Sequence, residues 1–322
     1  MRILVDCFGC DFPEKWIRGI GEAIRQNTDV TVVAVGDEQT IRSALENEEF
    51  DRSRLEIVNA TEIITNNDAP VDAIRHKRDS SLMRALRILR EGGADALVSA
   101  GSTGAVLVGG ILMLGTFDDI ERPGLTTLIP CENGKRSCLV DCGANVDAKP
   151  ENLVEFAHYG AKYIKSLYGV ENPSVGLLSV GAEDEKGNAQ TKAAFPMLRE
   201  SGLNFIGNIE GKDVFSGKCD VIVTDGFAGN VLVKGIEGTC SYAAHLIASM
   251  MMKRAPEGTD LSFLKAAMGD FVKFISAASM CGAVLLGLKK LVVKAHGNSD
   301  ETATPLIISH AADIIRGGYM DK

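Results

Sequence analysis

Five apolar runs in this 322-residue chain each end in a small polar loop rich in Gly, Asn and Asp, where free backbone N–H groups could meet an anion. The fullest example lies within residues 205–238. There 221–225 reads as a buried strand, Gly226 to Asn230 as a tight turn, and 231–234 as the start of a helix. A strand that turns through Gly into a helix leaves backbone N–H groups unpaired, and the helix dipole favours negative charge there. A phosphate, a carboxylate or a developing oxyanion suits such a place. The pattern recurs at Gly101-Ser102-Thr103-Gly104, at 142–150 with Asn145, Asp147 and Lys149, at 181–188 with Lys186 and Asn188, and at His296-Gly297-Asn298. One such turn is weak evidence. Several, on strands of one sheet, point to a composite anion site.

The elements that must position these loops follow from periodicity. The opening third alternates strand and helix patterns: strands at 3–5, 30–35 and 55–58, helices at 13–26 and 38–47. Alternation of this kind predicts βα units and a largely parallel sheet. Ligands of open α/β sheets collect outside the carboxyl ends of the strands, where all five loops are expected. Residues 65–70 (TNNDAP) read as a surface loop.

Composition narrows the class. Apolar content of 45% supplies a large core, as one big domain or two lobes, and the 34 glycines concentrate at strand ends. A formal charge of −9 argues against general nucleic-acid binding, which needs a basic surface. The N-terminus enters a strand without signal-peptide architecture, and the longest apolar run, 104–117, is too short to span a bilayer. A cytoplasmic, non-integral protein is expected. Cys7 and Cys10 form a C-x-x-C pair, and Cys131, Cys138 and Cys142 cluster further on. A zinc or redox site needs four ligands or a thiolate-stabilising environment. Without a second C-x-x-C the cysteines read as small buried hydrophobes, and neither a metal nor a cofactor is expected.

Two segments stand apart from the alternation. Residues 75–90 carry Arg75, Lys77, Arg78, Arg84, Arg87 and Arg90 in an otherwise acidic chain. Asp79 or Ser80 can cap a helix with Leu82, Leu86 and Leu89 as its apolar stripe, ended by Gly92-Gly93. The basic face reads either as a surface for an acidic partner or as a plain solvated face. Residues 236–282 read as a helical hairpin joined at 254–258. Its first helix ends in Met250–Met252, and its second starts at Thr259-Asp260 with Leu261, Leu264, Met268, Phe271 and Ile275 on one face, near Phe263 and Phe274. Lys253, Arg254, Lys265 and Lys273 flank these groups. The hairpin is either packed, as an interface or core, or an amphipathic tip touching a membrane surface.

The motifs SAGSTGA, IERPGL, DCGANVDAKPENLVEFA, VGLLSVGAEDEKGN, FIGNIEGKDVFSGKCDVIVTDGFAGNVLVK and KAHGNS, in this order from Arg2 to about Gly317, resemble those of the PlsX family of phosphate acyltransferases. The resemblance implies a three-layer α/β/α sandwich of the isocitrate and isopropylmalate dehydrogenase kind, with 1–322 as one domain and 236–282 as an excursion. It implies transfer of a fatty acyl group from acyl carrier protein to inorganic phosphate, giving acyl phosphate for phospholipid synthesis. It also implies a homodimer in peripheral contact with the membrane. The chain departs from the family pattern at Cys10, where a Gly is usual, at Ser102 in place of Asn, and at Val284 in place of Pro.

Phosphate is largely a dianion near neutral pH, and a thiol of pKa about 8.5 leaves readily, so positioning and oxyanion stabilisation are the main tasks. With the resemblance, Lys186 is expected to supply positive charge, flanked by Asn188 and Lys192. Asn230 is expected to donate an amide hydrogen bond to the thioester carbonyl or phosphate, and His296 to orient phosphate or protonate the departing thiolate. Gly101, Ser102, Thr103 and Gly104 would hold an anion, with Asn145, Asp147, Lys149, Asp225, Gly226 and Gly229 shaping the cleft. Arg75, Lys77, Arg78, Arg84 and Arg87 would dock acyl carrier protein. The rival readings are a phosphotransacetylase using acyl-CoA, a dehydrogenase of similar architecture, and a weakly active scaffold that recruits acyl carrier protein to the membrane.

Overall fold

The computed structural model describes residues 1–118, 120–256, 260, 262–264, 266–271 and 281–321. Its centre is an 11-stranded sheet in the order β3-β2-β1-β4-β11-β10-β5-β6-β9-β7-β8. β1 (Arg2–Asp6), β2 (Thr31–Gly36), β3 (Leu55–Asn59), β4 (Ala96–Ser99) and β11 (Leu291–Lys294) run parallel to one another. β6 (Arg136–Val140), β7 (Ser174–Ser179), β8 (Asn204–Glu210) and β9 (Val221–Val223) form a second parallel set. Between them, β10 (Ala283–Leu286) and β5 (Gly124–Pro130) pair antiparallel with each other and with their outer neighbours. Three successive reversals turn the second set against the first.

Each loop follows the carboxyl end of its strand, as expected, although the reversal makes the two sets of strands run toward those ends from opposite sides. The loops leave in opposite directions, and the register brings their starting points together. Asp6 pairs with Ser99, Ser99 with Lys294, and Lys294 with Ala283. One residue on, Val284 pairs with Thr126, Thr126 with Val140, and Val140 with Val223. The strand ends that matter therefore share one line across the sheet, and the two halves meet over its central strands.

Helices cover both faces, giving three layers. On one face α1 (Pro13–Gln26), α6 (Pro150–Tyr168), α7 (Ala189–Glu200) and α9 (Ala303–Arg316) bury Trp16, Ile20, Phe156, Tyr163, Leu198 and Ile308 against strand residues such as Val5, Val98 and Val140. On the other, α3 (Pro70–His76), α4 (Ser81–Arg90), α5 (Thr103–Leu114) and α8 (Gly226–Arg254) meet Leu4, Leu97, Leu139 and Val292. Strands buried on both faces explain their near-continuous apolar runs. Each fully buried Leu, Ile or Phe is worth about 1.5–3 kcal/mol, so the layers are held mainly by apolar burial.

The 226–282 region needs a correction. Residues 226–230 are the first turn of α8 and not a separate tight turn, and α8 runs unbroken for 29 residues to Arg254. Asp225 is its cap, accepting the Ala228 N–H at 2.7 Å, so the helix starts ten residues before the hairpin boundary read from sequence. Residues 262–264 and 266–271 are helical, and Phe263 and Phe271 are exposed. Thr259, Leu261, Lys265, Lys273, Phe274 and Ile275 lie outside the described residues. Among the described residues no helix is long and apolar enough to cross a membrane.

Candidate active site

A cavity of about 360 Å³ lies over the central strands between α5 and α8. Thr103 opens one wall, and Asn230, Val233, Lys234 and Glu237 of α8 form the opposite one. Leu125 and Thr127 of β5, with Ala283 of β10, make the floor, closed by Cys142-Gly143 and by Lys294 to Gly297. Four of the five loops reach it, the 226–230 segment through Asn230 of α8, and the next turns of that helix follow with Lys234 and Glu237.

The α8 wall is built by close backbone approach. Asp141, at the end of β6, is buried and accepts the N–H groups of Leu125 (3.1 Å), Gly143 (2.9 Å), Ala144 (2.9 Å) and Asn145 (2.7 Å). Burial raises its pKa above the ordinary carboxylate value, and these donors pull it back. Asn145 adds its Nδ2 to the same carboxylate at 2.9 Å and to the Pro123 carbonyl at 2.8 Å. The knot fixes the 141–145 loop, and α8 lies directly on it. A Cβ on Gly229 would sit 1.9 Å from the Asp141 carbonyl oxygen, and one on Gly226 would sit 2.8 Å from the backbone of Asn145. Gly226, Gly229, Asp225 and Asn145 therefore place the wall and do not themselves line the cavity. Asn230 follows one residue later. Its Nδ2 donates to the Cys142 carbonyl at 3.4 Å, which leaves the amide a second N–H.

On the facing wall α5 starts without a side-chain cap, since the Ser102 hydroxyl accepts no bond from the helix. The first N–H to find a helical partner is that of Val106, which donates to the Ser102 carbonyl at 2.9 Å. Among the described residues the N–H groups of Thr103, Gly104 and Ala105 have no partner, which is an anion-binding arrangement. Gly101 and Ser102 are buried beneath it, the Gly101 N–H donating to Ser99 Oγ at 3.1 Å. Gly104 is small because a Cβ would meet Pro70 at 2.7 Å.

Charge in the cavity comes from residues that motif reading passed over. Lys294 is only 7% exposed, and burial pulls its pKa down to about 8 against the attraction of Asp6, Cys10 and Asp11. Asp6, 1% exposed, accepts the Ser99 hydroxyl at 2.7 Å, and burial raises its pKa. Lys234 is exposed on the α8 side. Half-exposed His296 has Nε2 3.9 Å from Glu237 Oε1. Burial lowers its pKa; Glu237 opposes this, while Lys294 and Lys234 reinforce it. The sequence held signals for these residues. Asn230, Lys234 and Glu237 recur at helical spacing on one face, and Lys294 is the lone cation in an apolar strand.

The other expected residues lie elsewhere. Lys186 is exposed and is not among the cavity's lining; Asn188 caps α7, accepting the Thr191 N–H at 2.9 Å, and Lys192 is exposed on that helix. Asp147 is exposed, and Lys149 pairs with Glu121 at 2.9 Å. In the basic segment Ser80 caps α4, Lys77 pairs with Asp68 at 2.7 Å and Arg84 pairs with Asp79. Arg75, Arg78 and Arg87 are exposed and have no carboxylate partner among the described residues. Cys10, one of the family departures, is half-buried with its thiol pKa pushed up to about 11. Cys7 is fully buried and shifted the same way, which disfavours the thiolate in both.

Comparison with known proteins bears on the whole chain. The family model described as "Fatty acid synthesis protein" matches residues 1–322. A phosphate acyltransferase of Brevibacillus brevis is 44% identical over 317 residues, 98% of this chain and 94% of its own. That of Clostridium acetobutylicum is 40% identical over 323 residues, 100% and 97% of the two chains. Among solved structures, a phosphotransacetylase from Streptococcus pyogenes superposes with a TM-score of 0.63 at 18% identity, covering 98% and 94%. A 4-hydroxythreonine-4-phosphate dehydrogenase from Klebsiella pneumoniae does so at 0.53 and 13%, covering 98% and 99%. These two share the fold.

Proposed function

The chain belongs to the fatty acid synthesis protein family, the family of the phosphate acyltransferases, and on that premise we propose that its central cleft transfers an acyl group from a thioester to inorganic phosphate. One observation carries the reading. The uncapped start of α5, the amide of Asn230 and the cations Lys234 and Lys294 converge on a single cavity beside His296. Phosphate sits at the α5 N-terminus, held by the N–H groups of Thr103 and Gly104 and the positive end of the helix. Asn230 offers its second N–H to the thioester carbonyl as it becomes an oxyanion, and a donor of this kind is worth about 10²–10³ in rate. His296, kept largely neutral by its lowered pKa, orients phosphate. Lys186 stands outside the cavity, on an exposed loop that also carries Glu183, Asp184 and Glu185.

The acyl donor in this reading is acyl carrier protein, docking on the outer face of α3 and α4 at Arg75, Arg78 and Arg87. Those unpaired cations reverse the sign of an acidic protein locally. The reading extends to a homodimer touching a membrane surface, supported by the outer half of α8, where Tyr242, Leu246, Ile247 and Met250–Met252 are exposed.

The deciding experiment incubates the protein with acyl-acyl carrier protein and phosphate, and traps acyl phosphate with hydroxylamine. Phosphate-dependent hydroxamate is expected; none, or equal turnover of acyl-CoA and acyl carrier protein, overturns the reading or its donor. Charge reversal at Arg75 and Arg87 should raise KM for acyl carrier protein about tenfold at low salt and far less at high salt. A KM that does not move removes the docking face.

A further inference from the structure

Acyl transfer from an alkyl thioester ends with the departing sulfur protonated, and the acyl-transfer reading leaves the source of that proton open between His296 and the groups beneath it. Lys294 ends β11 on the line of paired residues that joins Asp6, Ser99 and Ala283, and its neighbours on β1, β4 and β10 are fixed by that pairing. Paired residues of neighbouring strands share a face, so Asp6, Ser99, Lys294 and Ala283 all look toward the α5–α8 side, where the cavity lies. Lys294 lines the cavity, yet it is nearly buried, and its Nζ donates to the Ala295 carbonyl. Burial and that hydrogen bond hold its ammonium in place, unlike exposed Lys234 on α8.

We propose that Lys294 is the catalytic proton carrier of this site, giving its proton to the leaving thiolate sulfur and recovering one from the phosphoryl hydroxyl. The inference rests on the acyl-transfer reading and deepens it. The step balances without any further reactant. An oxygen of HPO₄²⁻ forms a bond to the thioester carbonyl carbon, giving a tetrahedral oxyanion near Asn230. The carbon–sulfur bond then breaks and the sulfur takes the proton of the Lys294 ammonium. The neutral amine accepts the proton of the P–OH group, whose acidity rises once the phosphoryl oxygen is acylated. Thioester plus HPO₄²⁻ become acyl phosphate dianion plus thiol, and Lys294 ends protonated.

The surroundings suit this role from every side. Asp6 on β1, with Cys10 and Asp11 just after it, favours the charged form, while burial opposes it. Ser99 on β4 gives its hydroxyl to Asp6 and not to Lys294. His296 on the same loop, and Lys234 with Glu237 on α8, complete the charged groups around the cavity. The balance leaves the Lys294 proton at about 8, next to the ~8.5 of a free thiol, which is where a general acid for a thiolate is most effective. His296, shifted below its ordinary value, carries too little proton at neutral pH to compete.

The test compares one acyl chain on two leaving groups, the N-acetylcysteamine thioester and the thiophenol thioester, whose aryl thiolate leaves without a proton. The wild-type rate should fall on the alkaline side with an apparent pKa of about 8 for the alkyl thioester, and should show no such limb for the aryl one. Lys294→Arg keeps a cation that cannot release its proton. It should lose about 10²–10³-fold on the alkyl thioester, less than about tenfold on the aryl one, and lose the alkaline limb. His296→Gln should keep that limb. Equal losses on the two thioesters, or a limb that survives in Lys294→Arg, overturn the proposal. Should that variant not fold, the wild-type limbs on the two thioesters decide alone: a limb on both, or on neither, overturns it. An active enzyme with the wrong pattern removes only Lys294's role, whereas a wild type forming no acyl phosphate from either thioester removes the acyl-transfer reading and this proposal with it.

Discussion

The loop at 225–230 and the loop at 181–188 look alike as sequences, each a buried strand running through Gly into a helix, and the fold uses them differently. In the first, Gly226 and Gly229 are pressed onto the backbone of 141–145, and the helix they begin forms a wall of the cavity. In the second, residues 182–186 are exposed and Asn188 spends its side chain capping α7. The difference comes from position in the sheet. β9 lies beside β6, whose end carries the Asp141 knot, while β7 lies one strand further out. The same local pattern makes a wall when its glycines pack on a neighbouring backbone and a rim when its loop stays open to solvent, tied back by side chains such as Asn208 on the Glu183 carbonyl.

The sharpest way to break this contrast is to add one methyl group to each loop. Gly229→Ala should cost at least about 3 kcal/mol or abolish folding, because the new Cβ meets backbone at 1.9 Å. Gly181→Ala meets only the side chains of Glu183 and Lys186, at 2.9 and 3.0 Å, and should cost less than about 1 kcal/mol. Denaturant midpoints for both variants check this, and equal costs would end the distinction.

A second comparison moves from stability to rate. Asn230→Ala should lower kcat by about 10²–10³-fold with its fold intact, as expected for a donor used mainly in the transition state. Lys186→Ala should leave kcat within about threefold, as expected for a side chain outside the cavity. Initial-rate kinetics separate the two, and a kcat loss at Lys186 as large as that at Asn230 would bring the rim into the chemistry.

The smallest expected effect concerns pH. The Lys294 ammonium loses its proton at about 8 in the folded protein and at about 10.5 when unfolded. Between those values the unfolded chain binds the extra proton, so this group's contribution to stability rises with pH. Unfolding free energies of wild type minus Lys294→Met should therefore increase by about 2 kcal/mol from pH 7.5 to 9.5, at 1.36 kcal/mol per unit. A flat difference would show that Lys294 is not held as an uncomfortable buried cation.

Much of the layout was legible because it depends on local pattern. Alternating strands and helices gave the α/β class, and Asp225, Ser80 and Asn188 sit where short polar residues cap helices. Thr103, Asn230 and His296, singled out from Gly-bounded turns, do meet in one cavity. What sequence spacing misjudged was reach. It read 226–230 as a turn because two glycines weaken a helix locally, whereas packing against 141–145 requires those glycines within the helix.

The sequence by itself determined the α/β class, most of the strands and helices, and the family, since each of these rests on residues close together in the chain. The tertiary structure alone decided which turns share a site. Three antiparallel pairings at the centre of the sheet bring Ser99, Lys294 and Val140 to one line although their strands run in opposite senses. It also decided that Lys294 is buried within electrostatic reach of Asp6, nearly 290 residues away in the chain. A pKa follows from burial and neighbouring charge, and neither is set until the sheet closes.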